Sequence, residues 1–374
     1  MKILIAPDKF KGSLSATAVC DAIATGINKY DPTIEVVKHP LADGGDGSLD
    51  ILEQHLDLKT IAVTVNDPLF RPIKAHYKKT NNIAYIEMAT ASGLALLKKK
   101  ERNCMHTTTY GTGELILNAI QRGATTIYLS IGGSATCDLG IGMANALGYT
   151  FFDKNEKQVR PIGKNLRKIV SIQRPENKDL LNSVKFITLC DVDNPLYGPQ
   201  GAAQVFAAQK GANPKEIEIL DKGLSHFSTL ISQQLHKNIA KQPGAGAAGG
   251  IGGGSIAFLN STLQSGIKTM LEITKFSKAL EQVDLIFTGE GKIDQQTLHG
   301  KVVFGVSQFA KTKNIPVYAI SGASDLSVPE TKSLGVIALR TVLSVSQNEE
   351  EAFTNAQHIV EELSFEMIRA KLSK

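Results

Sequence analysis

Short apolar runs alternate along the chain with longer segments whose apolar residues return at helical spacing, the arrangement expected of β-α-β units and a parallel sheet. Residues 2–6 read as a buried strand. Residues 14–30 follow as a helix with Ala18, Ala22, Ile23 and Ile27 at near-helical spacing, and Ser13 or Ser15 is available as its N-cap. A strand over 35–39 and a short helix over 49–56 complete the opening pattern. The alternation returns late, with a strand over 284–288, a helix over 302–312, strands over 316–320 and 336–339, and a long amphipathic helix over 350–371. In the middle, strands over 83–89, 126–132 and 186–191 are separated by longer irregular stretches. Residues 153–174 are polar and punctuated by Pro and Gly, and read as a surface excursion. The expectation is an α/β fold in which residues 1–65 and 280–374 share one sheet as a discontinuous domain. Residues 66–279 then form an inserted second α/β domain, and ligand sites favour clefts between such domains.

The chain has 374 residues, which suits two domains at roughly 100–200 residues each. Hydrophobic residues at 42% and charged residues at 21% exclude a disordered chain. The 41 Lys and Arg against 36 Asp and Glu leave a net charge of only +5. The densest basic run, Lys98, Lys99 and Lys100, is followed by Glu101 and reads as a solvated face; no nucleic-acid partner is expected. The thin positive excess fits small anionic substrates. No run reaches the ~18 apolar residues of a membrane span, and no charged segment followed by a long apolar one marks a secretory signal. Cys20, Cys104, Cys137 and Cys190 lie far apart without a CxxC pair, so reduced thiols are expected rather than a zinc site or disulfides. A cytoplasmic protein without a membrane partner is expected, and a homo-oligomer is compatible with the sequence.

Several predicted strands end in polar, Gly-containing loops that bear charge. These are residues 7–13 (PDKFKGS), 42–48 (ADGGDGS), 132–138 (GGSATCD), 191–195 (DVDNP) and 289–294 (GEGKID). In open α/β sheets the ligand crevice lies at the carboxyl ends of the strands, where helix N-termini also present free N–H groups. Glycine there lets backbone amides approach an anion. Lys9, Lys11, Lys292 and Lys301 supply positive charge suited to phosphate oxygens. Asp191 and Asp193 are two apart, so on an extended strand both project to one side. Two such carboxylates suit Mg²⁺, which takes one or two from the protein and completes its shell with phosphate oxygens and waters. Cations, a metal carboxylate and a second carboxylate for a hydroxyl proton are the ingredients of phosphoryl transfer.

The common nucleotide signatures are missing. No G-x-x-x-x-G-K-[ST] occurs, and the formal G-x-G-x-x-G at Gly244, Gly246 and Gly249 follows a helix-like stretch rather than a strand. Residues 244–254 read instead as a turn or a helix-packing segment.

Taken together, IAPDKFKGSLSA (5–16), LADGGDGS (41–48), IEMATASGL (86–94), IGGSATCDLGIGMANALG (131–148), CDVDNPLYGPQGAA (190–203), QKGANP (209–214) and DLIFTGEGKIDQQTLHGK (284–301) resemble the bacterial-type glycerate kinases in order and register. Departures are mild: Lys9 replaces a usual Ser, Phe70 a usual Gly, and Lys292 a usual Arg. The resemblance implies two α/β domains, one of them Rossmann- or flavodoxin-like. It also implies Mg²⁺, ATP as co-substrate, D-glycerate as acceptor and 2-phosphoglycerate, rather than 3-phosphoglycerate, as product. Asp191 is the first candidate for the hydroxyl-orienting base or metal carboxylate, with Asp193 as its metal partner; Glu290 and Asp294 compete for those roles. Lys11 and Lys301 are expected to steady the transferring phosphate. Asp8, Lys9, Ser13, Asp43, Gly44, Gly45, Ser134, Glu290 and Lys292 are candidate substrate and phosphate contacts. Two other readings are a non-catalytic sensor of a phosphorylated metabolite and a nicotinamide-dependent oxidoreductase.

Overall fold

The computed structural model describes residues 1–176, 178–295 and 297–373. The chain divides into two compact units, one formed by Met1–Asp43, Asp50–Leu56 and Ser265–Lys374, the other by Gly44–Leu49 and Asp57–Gln264.

The first unit is built on a five-stranded parallel sheet in the order Val336–Thr341, Val317–Ser324, Leu285–Ile293, Lys2–Ile5, Glu35–Lys38. Both sheet faces are covered. On one, Val19, Ile23 and Ile27 of the helix Ala16–Tyr30 pack with Val360, Leu363 and Ile368 of the helix Ala356–Leu372. On the other, Ile267 and Leu271 pack with Val302, Val303 and Val306. The helix Ala16–Tyr30 starts where Ser15 Oγ accepts a hydrogen bond from Ala18 N at 3.1 Å, so Ser15 rather than Ser13 is the cap. Gly26 allows the two helices to meet, because a Cβ there would lie 2.1 Å from the Glu361 carbonyl. The closing helix is two helices, Glu349–Thr354 and Ala356–Leu372, separated at Asn355.

The strand expected at 284–288 runs further, to Ile293, because it stays paired with its neighbour as far as Ile293 opposite Ser324. Gly289 and Gly291 permit this. A side chain at Gly289 would collide with the Ile320 carbonyl, and one at Gly291 would sit 3.1 Å from Lys11 N. From Lys2–Ile5 the chain crosses to Glu35–Lys38 on one side, whereas Leu285–Ile293 continues to Val317–Ser324 on the other. The gap between Lys2–Ile5 and Leu285–Ile293 is therefore the topological switch point of the sheet, where a ligand crevice is expected.

The second unit has a six-stranded sheet in the order Thr262–Gln264, Lys185–Leu189, Thr126–Ser130, Ile83–Glu87, Pro72–Thr80, Lys59–Asn66. The first four strands are parallel and the last two add an antiparallel hairpin. At the hairpin turn Asp67 accepts hydrogen bonds from the Leu69 and Arg71 amides and pairs with Arg71 Nε at 2.6 Å. Phe70 is held there at φ 62°, a left-handed conformation that glycine adopts more readily than a residue with a Cβ. Its ring lies under the Arg160 guanidinium at 4.4 Å.

One expectation changes here, and that of a turn or helix-packing segment over 244–254 is met on its second alternative. Residues 153–174 are not a loose excursion, since Ile162, Leu166 and Ile169 enter the core and Ser171–Gln173 pairs with Thr150–Phe152. Residues 244–254 lie largely in the buried helix Ala247–Leu259, kinked where Ala248, Gly249 and Gly250 turn left-handed. The element before them is the helix Pro214–Leu235, so the formal glycine fingerprint lacks the strand that a dinucleotide fold requires.

Candidate active site

Three carboxylates gather at the switch point of the first unit. Asp8 leaves the end of Lys2–Ile5, and its amide donates to the Gly289 carbonyl at 2.8 Å, which fastens the loop to the adjoining strand. Its Oδ1 accepts from Lys9 N at 2.7 Å. Glu290 lies on the neighbouring strand and is 3% exposed. Thr297 Oγ1 donates to Glu290 Oε1, while Glu290 Oε2 is buried with no hydrogen-bond partner among the described residues. Burial pushes the Glu290 carboxyl up to about 7; Asp43 and Asp294 add to the rise, whereas the Thr297 hydroxyl and Lys301 oppose it. Burial, with Asp43 and then Glu290 as like-charged neighbours, pushes Asp8 up to about 8. A burial-raised carboxyl with an unsatisfied oxygen is equipped to hold a proton or to meet a donor group of a ligand.

The other predicted residues of this unit divide in two. Lys301 faces Asp294 at 3.4 Å, and Asp294 is joined to Glu290 through Thr297, whose hydroxyl accepts from the Asp294 amide at 3.1 Å. Lys11 lies beside Gly291, its amide 3.1 Å from where a Cβ of that glycine would stand. Lys292 instead points to an exposed ion pair with Asp325 at 2.6 Å. Ser13 donates to the Phe353 carbonyl at 2.9 Å, so its hydroxyl secures the closing helices. Asp43 is half-buried beside Asp8, and Lys9 flanks Asp8 in the same loop.

In the second unit, Gly45 accepts from Ser48 Oγ at 2.7 Å, and a Cβ at Gly132 would lie 3.1 Å from Gly45 Cα, so Gly44, Gly45 and the loop 132–138 are neighbours. Ser134 in that loop is 6% exposed. Asp191 and Asp193 fall beyond the strand Lys185–Leu189, on a loop, so strand alternation does not fix them to one side. Both approach Cys190, whose thiol is pushed up to about 11 by burial first and by these two carboxylates after it.

Sequence reasoning missed two residues here. Asp138, fully buried, accepts from Thr109 N, Thr109 Oγ1, Gly140 N and Gly142 N. Lys210, 4% exposed, donates to Ser134 Oγ at 2.6 Å and to the Thr136 carbonyl at 2.8 Å. Lys210 stood within the QKGANP stretch, and a charged residue between apolar Ala207-Ala208 and the Gly211 turn was the available signal.

Among the described residues no three His, Cys, Asp or Glu side chains form a ready-made metal cage. The donor set still fits Mg²⁺, because that ion needs only one or two hard carboxylates and takes its remaining oxygens from phosphates and water. Asp191 and Asp193, both near Cys190 and neither buried, offer such a set.

A parallel α/β scaffold with buried acids at its switch point and glycine-rich loops at its strand ends belongs to the small-molecule enzymes of the α/β class. Residues 3–371 match the profile of the glycerate kinase family. The chain is 42% identical to a glycerate kinase of Bacillus cereus over 96% of its length and 95% of the relative's. It is 39% identical to the glycerate 2-kinase of Escherichia coli, covering 95% of this chain and 94% of that one. A crystal structure from Salmonella typhimurium LT2, assigned as a glycerate kinase 2, superposes with a TM-score of 0.85 at 38% identity, covering all of this chain and 98% of the other. The chain belongs to the glycerate kinase family, whose members are phosphotransferases. No helix among the described residues is long and apolar enough to cross a membrane.

Proposed function

We propose that the protein transfers the γ-phosphoryl group of ATP to a hydroxyl of D-glycerate, giving ADP and 2-phosphoglycerate rather than 3-phosphoglycerate. The observation that carries this reading is Glu290, a buried acid with one unsatisfied oxygen at the switch point, flanked by Asp8, Asp43 and the Lys301–Asp294 pair. Membership of the glycerate kinase family supports the substrate class, and the relative from Escherichia coli supports attack at the 2-position.

In this reading Asp191 takes the proton from the attacking hydroxyl, and the freed oxygen forms the new bond to phosphorus as the bond to ADP breaks. Asp193 pairs with Asp191 in holding Mg²⁺, which when bound neutralises phosphate charge. Lys11 and Lys301 offset charge on the moving group, and Asp8, Lys9, Asp43 and Glu290 orient substrate. Gly44, Gly45 and Ser134 contribute backbone and hydroxyl donors. The reaction takes place in the cytoplasm.

A coupled assay of ADP release tests this, with D-glycerate present or absent and with Mg²⁺ present or chelated. Release that requires both D-glycerate and Mg²⁺ is expected. Binding of a phosphorylated metabolite without ADP release would favour a sensor, and a change in nicotinamide absorbance would favour an oxidoreductase.

A further inference from the structure

The Lys210 ammonium is buried in the second unit, yet among the described residues it forms no ion pair. Its recorded acceptors are two neutral oxygens, Ser134 Oγ and the Thr136 carbonyl. Burying a cation on neutral partners is costly, so such an arrangement calls for a compensating anion or a strong structural need. Asp138 is the nearby acid, but four donors from Thr109, Gly140 and Gly142 already occupy it.

Both acceptors of Lys210 belong to the loop 132–138. Gly132 is half-exposed and Gly133 exposed, and Gly133 is left-handed at φ 73°. Among the described residues neither the Gly132 nor the Gly133 N–H has a hydrogen-bond partner. Consecutive free amides turned by a left-handed residue form a concave anion-binding nest. The loop cannot easily collapse onto its amides. Thr107 Oγ1 donates to the Ala135 carbonyl at 2.8 Å, Ala135 N to the Ser92 carbonyl at 2.9 Å, and Leu94 N to the Gly133 carbonyl at 2.8 Å.

We propose that residues 132–134 bind an oxyanion, a carboxylate or a phosphate group, and that Lys210 is the positioning residue that holds this nest open and supplies its positive charge. The proposal rests on the kinase reading only for the source of the anion, which is either the carboxylate of D-glycerate or a phosphate of ATP. It deepens the expectation for Ser134, whose hydroxyl is turned to accept from Lys210 and so is free to donate toward the ligand.

The test uses the full chain as wild type, Lys210→Met and Lys210→Arg. Thermal melts are titrated with inorganic phosphate and, separately, with D-glycerate, and each shift is read against that variant's own baseline. Lys210→Met is expected to weaken oxyanion binding roughly 10- to 100-fold, the loss typical of a charge-assisted contact, with partial recovery in Lys210→Arg. In steady-state assays KM rises for D-glycerate or for ATP, whichever anion occupies the nest, by more than kcat falls. An undiminished shift in folded Lys210→Met, or no rise in either KM, overturns the proposal. If Lys210→Met does not fold, a phosphate titration followed at the Gly132 and Gly133 amides of the wild type decides the matter. Saturable shifts support the nest, and unmoved amides refute it. A wild type that binds phosphate through Lys210 but never releases ADP would sink the kinase reading and leave this site standing.

Discussion

Glu290 and Asp8 have a consequence for stability that follows from their burial. In the unfolded chain these groups release their protons near the ordinary values of 4.5 and 3.8, whereas the folded protein keeps them to about 7 and about 8. A raised carboxyl therefore contributes most below its unfolded value, and that contribution is lost as pH climbs through the folded one. Removing the titration with Glu290→Gln should make the ligand-free variant progressively more stable relative to wild type between pH 4.5 and about 7. Parallel melting curves of the two proteins across that window would show that Glu290 is not shifted upward. At Asp191 the prediction concerns rate. Asp191→Asn should lower kcat by roughly 10²–10⁴-fold, the usual worth of general base help, with little change in melting temperature because the residue sits half-exposed on a loop. Turnover near that of wild type would pass the role to Glu290 or Asp294.

At the scale of elements, regular alternation was legible and exceptions to it were not. The helix expected at 302–312 is the helix Val302–Thr312, and the strands at 2–6, 83–89 and 126–132 differ from Lys2–Ile5, Ile83–Glu87 and Thr126–Ser130 by a residue or two. The hairpin Lys59–Asn66 with Pro72–Thr80 went unseen although it was legible, since Ile61, Val63 and Val65 alternate with Thr60, Ala62 and Thr64 as the inward face of a half-buried strand does. Glu290 was placed on a loop because glycines usually end strands; here they are what lets the strand continue beside the Ile320 carbonyl and Lys11. The acids of the switch point were individually visible, but their convergence depends on a pairing between residues nearly three hundred positions apart. For Lys210 the local signal was only its place between Ala207-Ala208 and the Gly211 turn, and its burial is set by the distant loop 132–138 on which it packs. Tertiary closeness also sets the prediction at this scale. Gly249 is left-handed, and a Cβ there would lie 1.9 Å from the Thr136 carbonyl. Gly249→Ala should therefore cost at least about 2 kcal/mol in a denaturant melt, through strain and displacement of the loop 132–138. A variant as stable as wild type would mean that the kink in Ala247–Leu259 relaxes freely.

For the whole molecule, Asp8, Asp43, Glu290 and Asp294 lie together in the first unit, while the net charge stays near neutrality at +5. Mg²⁺ should accordingly govern turnover more than it governs folding. Chelation is expected to abolish ADP release and leave the melting temperature of the ligand-free protein within a degree or so, as befits a metal held by one or two carboxylates and its nucleotide. A large loss of stability on chelation would point to a structural ion instead. The most direct test of the account is a phosphorus NMR spectrum of the products formed from ATP, Mg²⁺ and D-glycerate. It should show ADP and a phosphomonoester coupled to the single proton on C2. A resonance coupled to the two protons on C3 would contradict the regiochemistry, and inorganic phosphate alone would contradict transfer to glycerate altogether.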